Sequence, residues 1–341
     1  MKRPRNLVIS AVKAGVVAFL ILAAIPTPAA AQTIPPFGAW TRLSPEPIVS
    51  PQGDGFESAG TFNPAVARRN GKFVMLFRAQ DNKGTSSLGY ATSDDGIHFL
   101  RRPEPVLGPD ASYEKGGGVE DPRLVKIGHT YYLTYTGYNN VDGSGPTGKD
   151  AQLCLATSAD LLHWKRRGII MPAYKGKWNV GWTKSGAIID QKIGGKYWMY
   201  YLADALGQSS QMGVGYSKDL IHWTDALDHP ILSSRPGSFD SQVVEPGPPP
   251  VMTTQGILLI YNGADDKLVY STGWVLFDKK DPTKVLTRAQ EPVFNPGPEW
   301  EKVGQVPNVV FVEGLVRDSE RWLFYYGGAD KYVGVATAPN R

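Results

Sequence analysis

Residues 40–51 read WTRLSPEPIVSP, and residues 99–109 read FLRRPEPVLGP. Both hold Pro-Glu-Pro, two aliphatic residues and a closing proline. In the second segment this pattern ends a repeating unit; in the first it stands alone, before any unit has begun. The repeat is set by five β-rich runs, GKFVMLFRAQ, HTYYLTYTGY, GKYWMYYLAD, GILLIYNGAD and RWLFYYGGAD, which begin near residues 71, 129, 195, 256 and 321. Aromatic and β-branched residues fill them, and Gly, Pro, Asn and Asp separate them, as in all-β folds. A second apolar strand follows each run: LGYATS, LCLATS, MGVGYS, TGWVLF and VGVATA. In the first three units a turn and an aromatic come next (DDGIHF, ADLLHW, KDLIHW), then a strand closing near EPVLGP, RGIIMP or HPILSS; the fourth keeps that ending as QEPVFNP.

The fifth unit stops after VGVATA, and the segment at 40–51 supplies the strand it lacks. A strand from the start of the chain completing the last sheet is how a β-propeller closes its ring and removes two sheet edges at once. The expected fold is therefore an all-β, five-bladed β-propeller whose last blade is closed by an N-terminal strand. A β-sandwich or a pair of β domains would not explain a missing strand found at the opposite end.

The first residues follow other rules. A basic start (MKRPRN), an apolar run from Ala14 to Ile25 and small residues before Gln32 make the three-part pattern of a secretory signal peptide, with cleavage expected after Ala31. The apolar run is short for a membrane span, although an uncleaved anchor is the rival reading. Residues 1–31 are then a signal peptide and 32–341 one propeller domain, and the protein is secreted or periplasmic. Lys2, Arg3, Arg5 and Lys13 carry four positive charges in a segment without acids, so the formal +4 of the whole chain falls to 0 on cleavage. The remainder gives no reason to expect nucleic acid, or a membrane after cleavage, as partner. Cys154 is the single cysteine, so no intramolecular disulfide forms. No ligand cluster implies a metal and no cofactor is expected; three of the five histidines recur at one repeat position and read as structural. The Asn-, Asp- and Gly-rich loop at 136–150 lacks the spacing of a calcium loop and reads, with 205–211, as a border of the pocket. The sequence carries no signal for oligomeric state.

Chemistry points to GGGVEDPRL at 116–124, beside an innermost strand. The corresponding segments hold Asn63 before Pro64 in the first unit, Glu245 before Pro246 in the fourth, and Asn308 in the fifth. Polar residues thus recur where inner strands open toward the axis. Paired carboxylates suit glycosidic cleavage, one protonating the leaving oxygen and the other activating water or attacking the sugar. An aromatic content of 11% suits sugar faces as well as a core.

FNPAV, LFRA, GGGVEDPRLV, GPPPV followed by GILLIYNG, LFDKKDPTKVLTRAQEPVF, VPNVVFVEG and YYGGADKYVGVATA together resemble glycoside hydrolase family 130, from about residue 60 to the end. The resemblance implies a five-bladed propeller that cleaves β-mannosides with inversion, by phosphorolysis or hydrolysis, and so a mannose-containing oligosaccharide as partner. It implies that Asp121 is the general acid, acting through the mannose 3-hydroxyl in the phosphorylases, and that Asn63, Arg78 and Asp330 hold the mannose. Glu120 and Arg123 complete the motif and are expected to orient Asp121. Trp182 and Lys184, in KWNVGWTKSG, and Asn262 join the candidate substrate-binding set, with packing between blades as the other role open to Trp182.

Three departures bear on the reaction. The phosphorylases have a phosphate-binding Lys shortly before the Pro-rich stretch and a phosphate-binding His in YHG; here Val243 and Asn262 stand there. Losing such charge-assisted bonds costs about 1.5–3 kcal/mol each. Glu245 stands where the phosphorylases tend to have glycine, and a carboxylate repels a phosphate dianion but can take a proton from water. Export favours the same choice, because a sugar phosphate benefits a cell only inside it. The expected activity is an exo-acting, inverting β-mannosidase on β-1,2 linkages, with Asp121 as acid and Glu245 as base about 6.5–9.5 Å apart. Asp204 and Glu313 are alternative bases. A mannoside phosphorylase and a non-catalytic sugar-binding propeller are the competing readings.

Overall fold

The structure, a computed structural model, describes residues 37–145, 148–175, 178–204 and 210–340. The expected signal peptide and part of both border loops lie outside the described residues. The described chain is all-β, interrupted by two single 3-10 turns at Ser112–Glu114 and Glu299–Glu301.

Its strands form five antiparallel groups. The first runs Gly60–Arg69, Lys72–Gln80, Ser86–Ser93 and Leu100–Arg101; the second Gly116–Ile127, Thr130–Asn139, Asp150–Ser158 and Lys165–Met171. The third runs Thr183–Ile188, Tyr197–Asp204, Ser210–Ser217 and Trp223–Asp225; the fourth Val243–Pro246, Ile257–Ala264, Tyr270–Phe277 and Val285–Arg288, with Val251–Met252 beside Ile257 and Leu258. The fifth holds Val310–Asp318, Arg321–Gly328 and Tyr332–Pro339, and its last place is taken by Thr41–Arg42.

The strand expected from the 40–51 repeat therefore pairs where the sequence places it. Thr41 lies opposite Thr337 and Arg42 opposite Ala336, with isolated bridges Phe37–Asn340 and Val49–Val333 on either side. Side chains fasten the seam. The Trp40 ring stacks on Phe324 at 3.5 Å, and Arg42 grips the buried Glu301 with Nε and Nη2 at 2.7 and 2.6 Å. Glu301 also accepts from the Tyr326 hydroxyl at 2.8 Å and the Gly297 amide at 2.7 Å, so this buried charge is fully met.

Packing follows the same order. Leu76 and Leu88 meet Leu133 between the first and second groups, and Leu153 meets Met199 and Tyr201 between the second and third. Tyr200 stacks on Phe277 between the third and fourth, and Ile260 packs with Phe324 between the fourth and fifth. Phe73 and Phe77 of the first group pack with Leu323 and Tyr325 of the fifth. Each group leans on the next, and the last on the first.

The recurring histidines occupy three copies of one turn. Ser93, Ser158 and Ser217 accept backbone N–H groups, while Asp95, Asp160 and Asp219 accept two further amides and meet His98, His163 and His222 Nδ1 at 2.7 Å. Hydrogen bonds from these histidines hold the three aspartates well below the usual carboxylate range. The turn is a self-satisfied cap, which accounts for the repeat.

If the N-terminal strand is structural, Trp40→Ala should cost about 3 kcal/mol of unfolding free energy in urea, the usual loss for a packed aromatic. A loss under about 0.5 kcal/mol, as at an ordinary surface position, would show that the strand does not close the fold.

Candidate active site

Inner strands in four of the groups slip register beside a polar residue. Pairing jumps past Asn63 in the first, past Asp121 and Pro122 in the second, past Ser185 and Gly186 in the third, and past Glu313 in the fifth. Such bulges re-aim a side chain out of the alternating pattern. Asn63, Asp121 and Ser185 sit there with φ of 49°, 51° and 61°, in the left-handed region that non-glycine residues seldom enter. In the fourth group Glu245 and Gly247 stay in register, Glu245 opposite Asn262, and the irregularity follows before Val251 pairs with Leu258.

Asn308, expected to align with Asn63 and Asp121, lies ahead of the fifth inner strand; Glu313 holds the equivalent place. The signal was a polar residue before Pro or Gly: Asn63-Pro64, Asp121-Pro122, Ser185-Gly186, Glu245-Pro246 and Glu313-Gly314. Gly314 is needed there, because a Cβ would come within 2.9 Å of the Pro64 carbonyl.

These irregularities surround a pocket of about 130 Å³ that draws residues from all five groups: Asn63 and Arg78, Glu120 and Asp121, Lys184, Glu245 and Tyr270, then Phe311 and Asp330. Arg78 is its hub. Nη1 donates to Asp121 Oδ1 at 3.1 Å, Nη2 to Glu120 Oε1 at 2.5 Å and Nε to Ser86 Oγ at 3.1 Å, with the guanidinium over the Phe62 ring. Asn63 Nδ2 gives Asp121 Oδ1 a second bond at 2.8 Å, and Ser86 Oγ gives Glu120 one at 3.3 Å. Across the pocket, Glu245 Oε1 accepts a short bond from Ser185 Oγ and stands 3.6 Å from Lys184 Nζ. Ser185 was not anticipated; its Ser-Gly pair was the available sign.

Electrostatics divides the carboxyl groups. Burial acts to raise Asp121, but Arg78, Lys184 and Arg123 outweigh it and hold Asp121 below the usual range. Burial, with Asp121 alongside, pushes Glu120 up to about 7 against the pull of Arg78. Asp330 rises to about 6 for the same reasons, and Tyr270, buried near Glu245, to about 12. Burial lowers Lys184, but Glu245 and Asp121 more than reverse this, so it is a firm cation. The pocket can thus hold an ionised acid, protons on its neighbours near neutrality, and a second carboxylate facing them.

Other candidates stand elsewhere. Asn262 is fully buried and does not line the pocket: its amide donates to Val312 O at 3.0 Å and accepts from Val312 N at 2.9 Å, tying the fourth group to the fifth. The structure therefore places it beside the pocket's wall rather than in its lining. Trp182 also lies outside the lining, its indole donating to Lys149 O at 3.3 Å and its ring 5.9 Å from Tyr138. Arg123 is buried behind the pocket, and Asp204 accepts from Ser210 rather than facing it. Among the described residues no group of three His, Cys, Asp or Glu could hold a metal ion.

An all-β chain whose strand groups bring four carboxyl groups, an arginine and an asparagine into one pocket has the equipment of an enzyme acting on glycosides. The family profile described as beta-1,4-mannooligosaccharide phosphorylase matches residues 40–341. A 1,2-beta-oligomannan phosphorylase of Thermoanaerobacter sp. (strain X514) is 38% identical over 86% of this chain and 95% of its own. A solved structure from the work describing family members as glycoside hydrolases that target β-1,2 mannosidic linkages in Candida mannan is 37% identical, with a TM-score of 0.79, covering 89% of this chain and 95% of the other. A beta-1,2-mannobiose phosphorylase from Listeria innocua, solved with beta-1,2-mannobiose, is 26% identical, with a TM-score of 0.76, over 88% and 96%. This chain belongs to glycoside hydrolase family 130 and is a carbohydrate-active enzyme of the mannoside-cleaving kind.

A carboxyl group whose pKa is raised by folding stabilises the fold below its unfolded pKa, and that contribution is lost as pH rises through the folded value. For Glu120 the window runs from about 4.3 to about 7. Glu120→Gln should therefore gain melting temperature relative to the parent at pH 8 compared with pH 5. Thermal unfolding at the two pH values checks this, and an equal difference at both would contradict the raised pKa.

Proposed function

We propose that this protein is an exported, inverting, exo-acting mannosidase that hydrolyses β-1,2-linked mannosides. In this reading residues 1–31 are a signal peptide cleaved after Ala31, the product is secreted or periplasmic, and 32–341 form one five-bladed propeller closed by the N-terminal strand. The ring of packed groups and the pairing of Thr41–Arg42 with the last group support the propeller.

The observation that carries the choice of water is Glu245 in the pocket that holds Asp121. Four carboxyl groups (Glu120, Asp121, Glu245, Asp330) face two cations (Arg78, Lys184), so the pocket carries no excess positive charge even when Glu120 and Asp330 hold protons. Such a pocket suits a neutral sugar and a water molecule and repels a phosphate dianion. Neither position at which the phosphorylases place a phosphate-binding side chain offers a cation: Val243 is apolar, and Asn262 is spent on the Val312 backbone.

In the proposed mechanism Asn63, Arg78 and Asp330 orient the terminal mannose. Glu245, held by Ser185 and Lys184, removes a proton from water as it attacks C1 from the face opposite the leaving group. Asp121 delivers the proton that lets the leaving oxygen depart, by way of a sugar hydroxyl. Asp121 is ionised in the free pocket, so its proton must come from a neighbour. Glu120, at about 7, and Asp330, at about 6, are the groups that can hold one there.

The second reading, a phosphate-dependent mannoside phosphorylase, is favoured by the likeness to the 1,2-beta-oligomannan phosphorylase of Thermoanaerobacter sp. (strain X514) at 38% identity and to the beta-1,2-mannobiose phosphorylase of Listeria innocua at 26%. Variants separate the two. On β-1,2-mannobiose, Asp121→Asn and Glu245→Ala should each lose roughly 10²–10⁴-fold in kcat, the usual weight of a general acid or base. For a phosphorylase, Glu245→Ala would remove only a repulsive charge, so phosphate-dependent turnover would hold or rise; that outcome rejects hydrolysis. The linkage is checked on β-1,2-, β-1,3- and β-1,4-mannobiose, with the first expected to be cleaved fastest.

A further inference from the structure

Arg123 is 1% exposed and touches three inner strands. It projects from Gly116–Ile127, and its Nη1 donates back to the Asp121 carbonyl at 3.1 Å. Nη2 donates to the Pro246 carbonyl at 2.7 Å, and Nε lies 3.3 Å from that oxygen and 3.2 Å from the Gly247 carbonyl, the two carbonyls that follow Glu245. Nη1 also stands 2.9 Å from Glu313 Oε1 on Val310–Asp318, and Nη2 stands 4.0 Å from Glu245 Oε1. The strands converge tightly here: a Cβ on Gly247 would come within 2.7 Å of the Val312 carbonyl.

Glu313 is 1% exposed and is not among the residues lining the pocket. Apart from the Arg123 ion pair, neither of its carboxyl oxygens has a hydrogen-bond partner among the described residues. A buried pair of this kind seldom adds stability over two apolar residues of similar volume, although removing one partner alone leaves a buried charge. A stability role does not account for it, and without reaching the sugar it cannot be the base. What it does reach is the guanidinium that spans the acid-bearing and base-bearing chains.

We propose that Glu313 is a positioning residue: it anchors Arg123, and Arg123 fixes where the chain carrying Glu245 stands relative to Asp121. The inference rests on the reading of Glu245 as base. In an inverting enzyme the gap between the two carboxyl groups must admit one water molecule, so a tie between their backbones sets the quantity that governs attack. The sugar is held by other residues, so loosening the tie should affect turnover and leave binding alone.

The test is a cycle on β-1,2-mannobiose, measuring kcat, KM and melting temperature for Glu313→Leu, Glu313→Gln, Glu245→Ala and the Glu313→Leu/Glu245→Ala pair. Glu313→Leu should lower kcat by about 10²-fold, the cost of a displacement of about 1 Å, with KM little changed. Glu313→Gln, which keeps an oxygen to accept from Arg123, should recover most of that loss. In the Glu245→Ala background Glu313→Leu should cost nothing further, because the group it positions is gone. Undiminished kcat in folded Glu313→Leu, or an equal loss in both backgrounds, overturns the proposal. Should Glu313→Leu fail to fold with Arg123 left unpaired, Arg123→Met/Glu313→Leu removes both charges and is judged by the same two comparisons. Full activity of Glu245→Ala alone rejects the base assignment and the proposal together, and that one variant reveals it.

Discussion

Arg78 allows two neighbouring carboxyl groups to be buried in one pocket. Glu120 and Asp121 are adjacent in sequence and both largely withdrawn from solvent, an arrangement that repulsion and desolvation oppose. The guanidinium bonds both, and Asn63 adds its amide to Asp121 alone. The result is unequal: Asp121 is held low, while Glu120 rises to about 7. Two such groups titrate as a pair, so a proton can be held beside Asp121 near neutrality. Without Arg78 neither carboxyl group has a reason to stay.

That hub in turn depends on the ring. All five strand groups send a side chain into the pocket, so its shape follows from how each group leans on the next. Only a short strand, Thr41–Arg42, completes the fifth sheet. Buried contacts reinforce it: Trp40 on Phe324, and Arg42 on a Glu301 that takes two further bonds, from Gly297 and Tyr326. The closing strand carries no pocket residue, yet it holds the fifth group, and with it Asp330 and Phe311, in place.

Much of this was legible in the sequence. The period of about sixty residues and the displaced PEPIVSP segment gave the five groups and the closing strand, because each strand keeps its own hydrophobic signature wherever it lies in the chain. Asn63, Arg78, Glu120, Asp121, Lys184, Glu245 and Asp330 were all named from sequence, and all line one pocket. Bulges hid the rest. One extra residue in a strand changes which side chain faces inward, so the fifth group's counterpart is Glu313, where the spacing alone points to Asn308. Asn262 lies opposite Glu245 in the ladder, so it was reasonable to place it at the site; only three dimensions reveal that Val312 of the next strand consumes its amide. Trp182, two residues from Lys184, misses the pocket because its indole turns to the Lys149 carbonyl.

Water as the acceptor is the central claim, and the anomer released under defined phosphate tests it most directly. Followed by proton NMR from the first minutes in phosphate-free buffer, β-1,2-mannobiose should yield α-mannose ahead of mutarotation, at a rate that added phosphate does not raise. No turnover until phosphate is supplied, with mannose 1-phosphate as the product, would contradict the account.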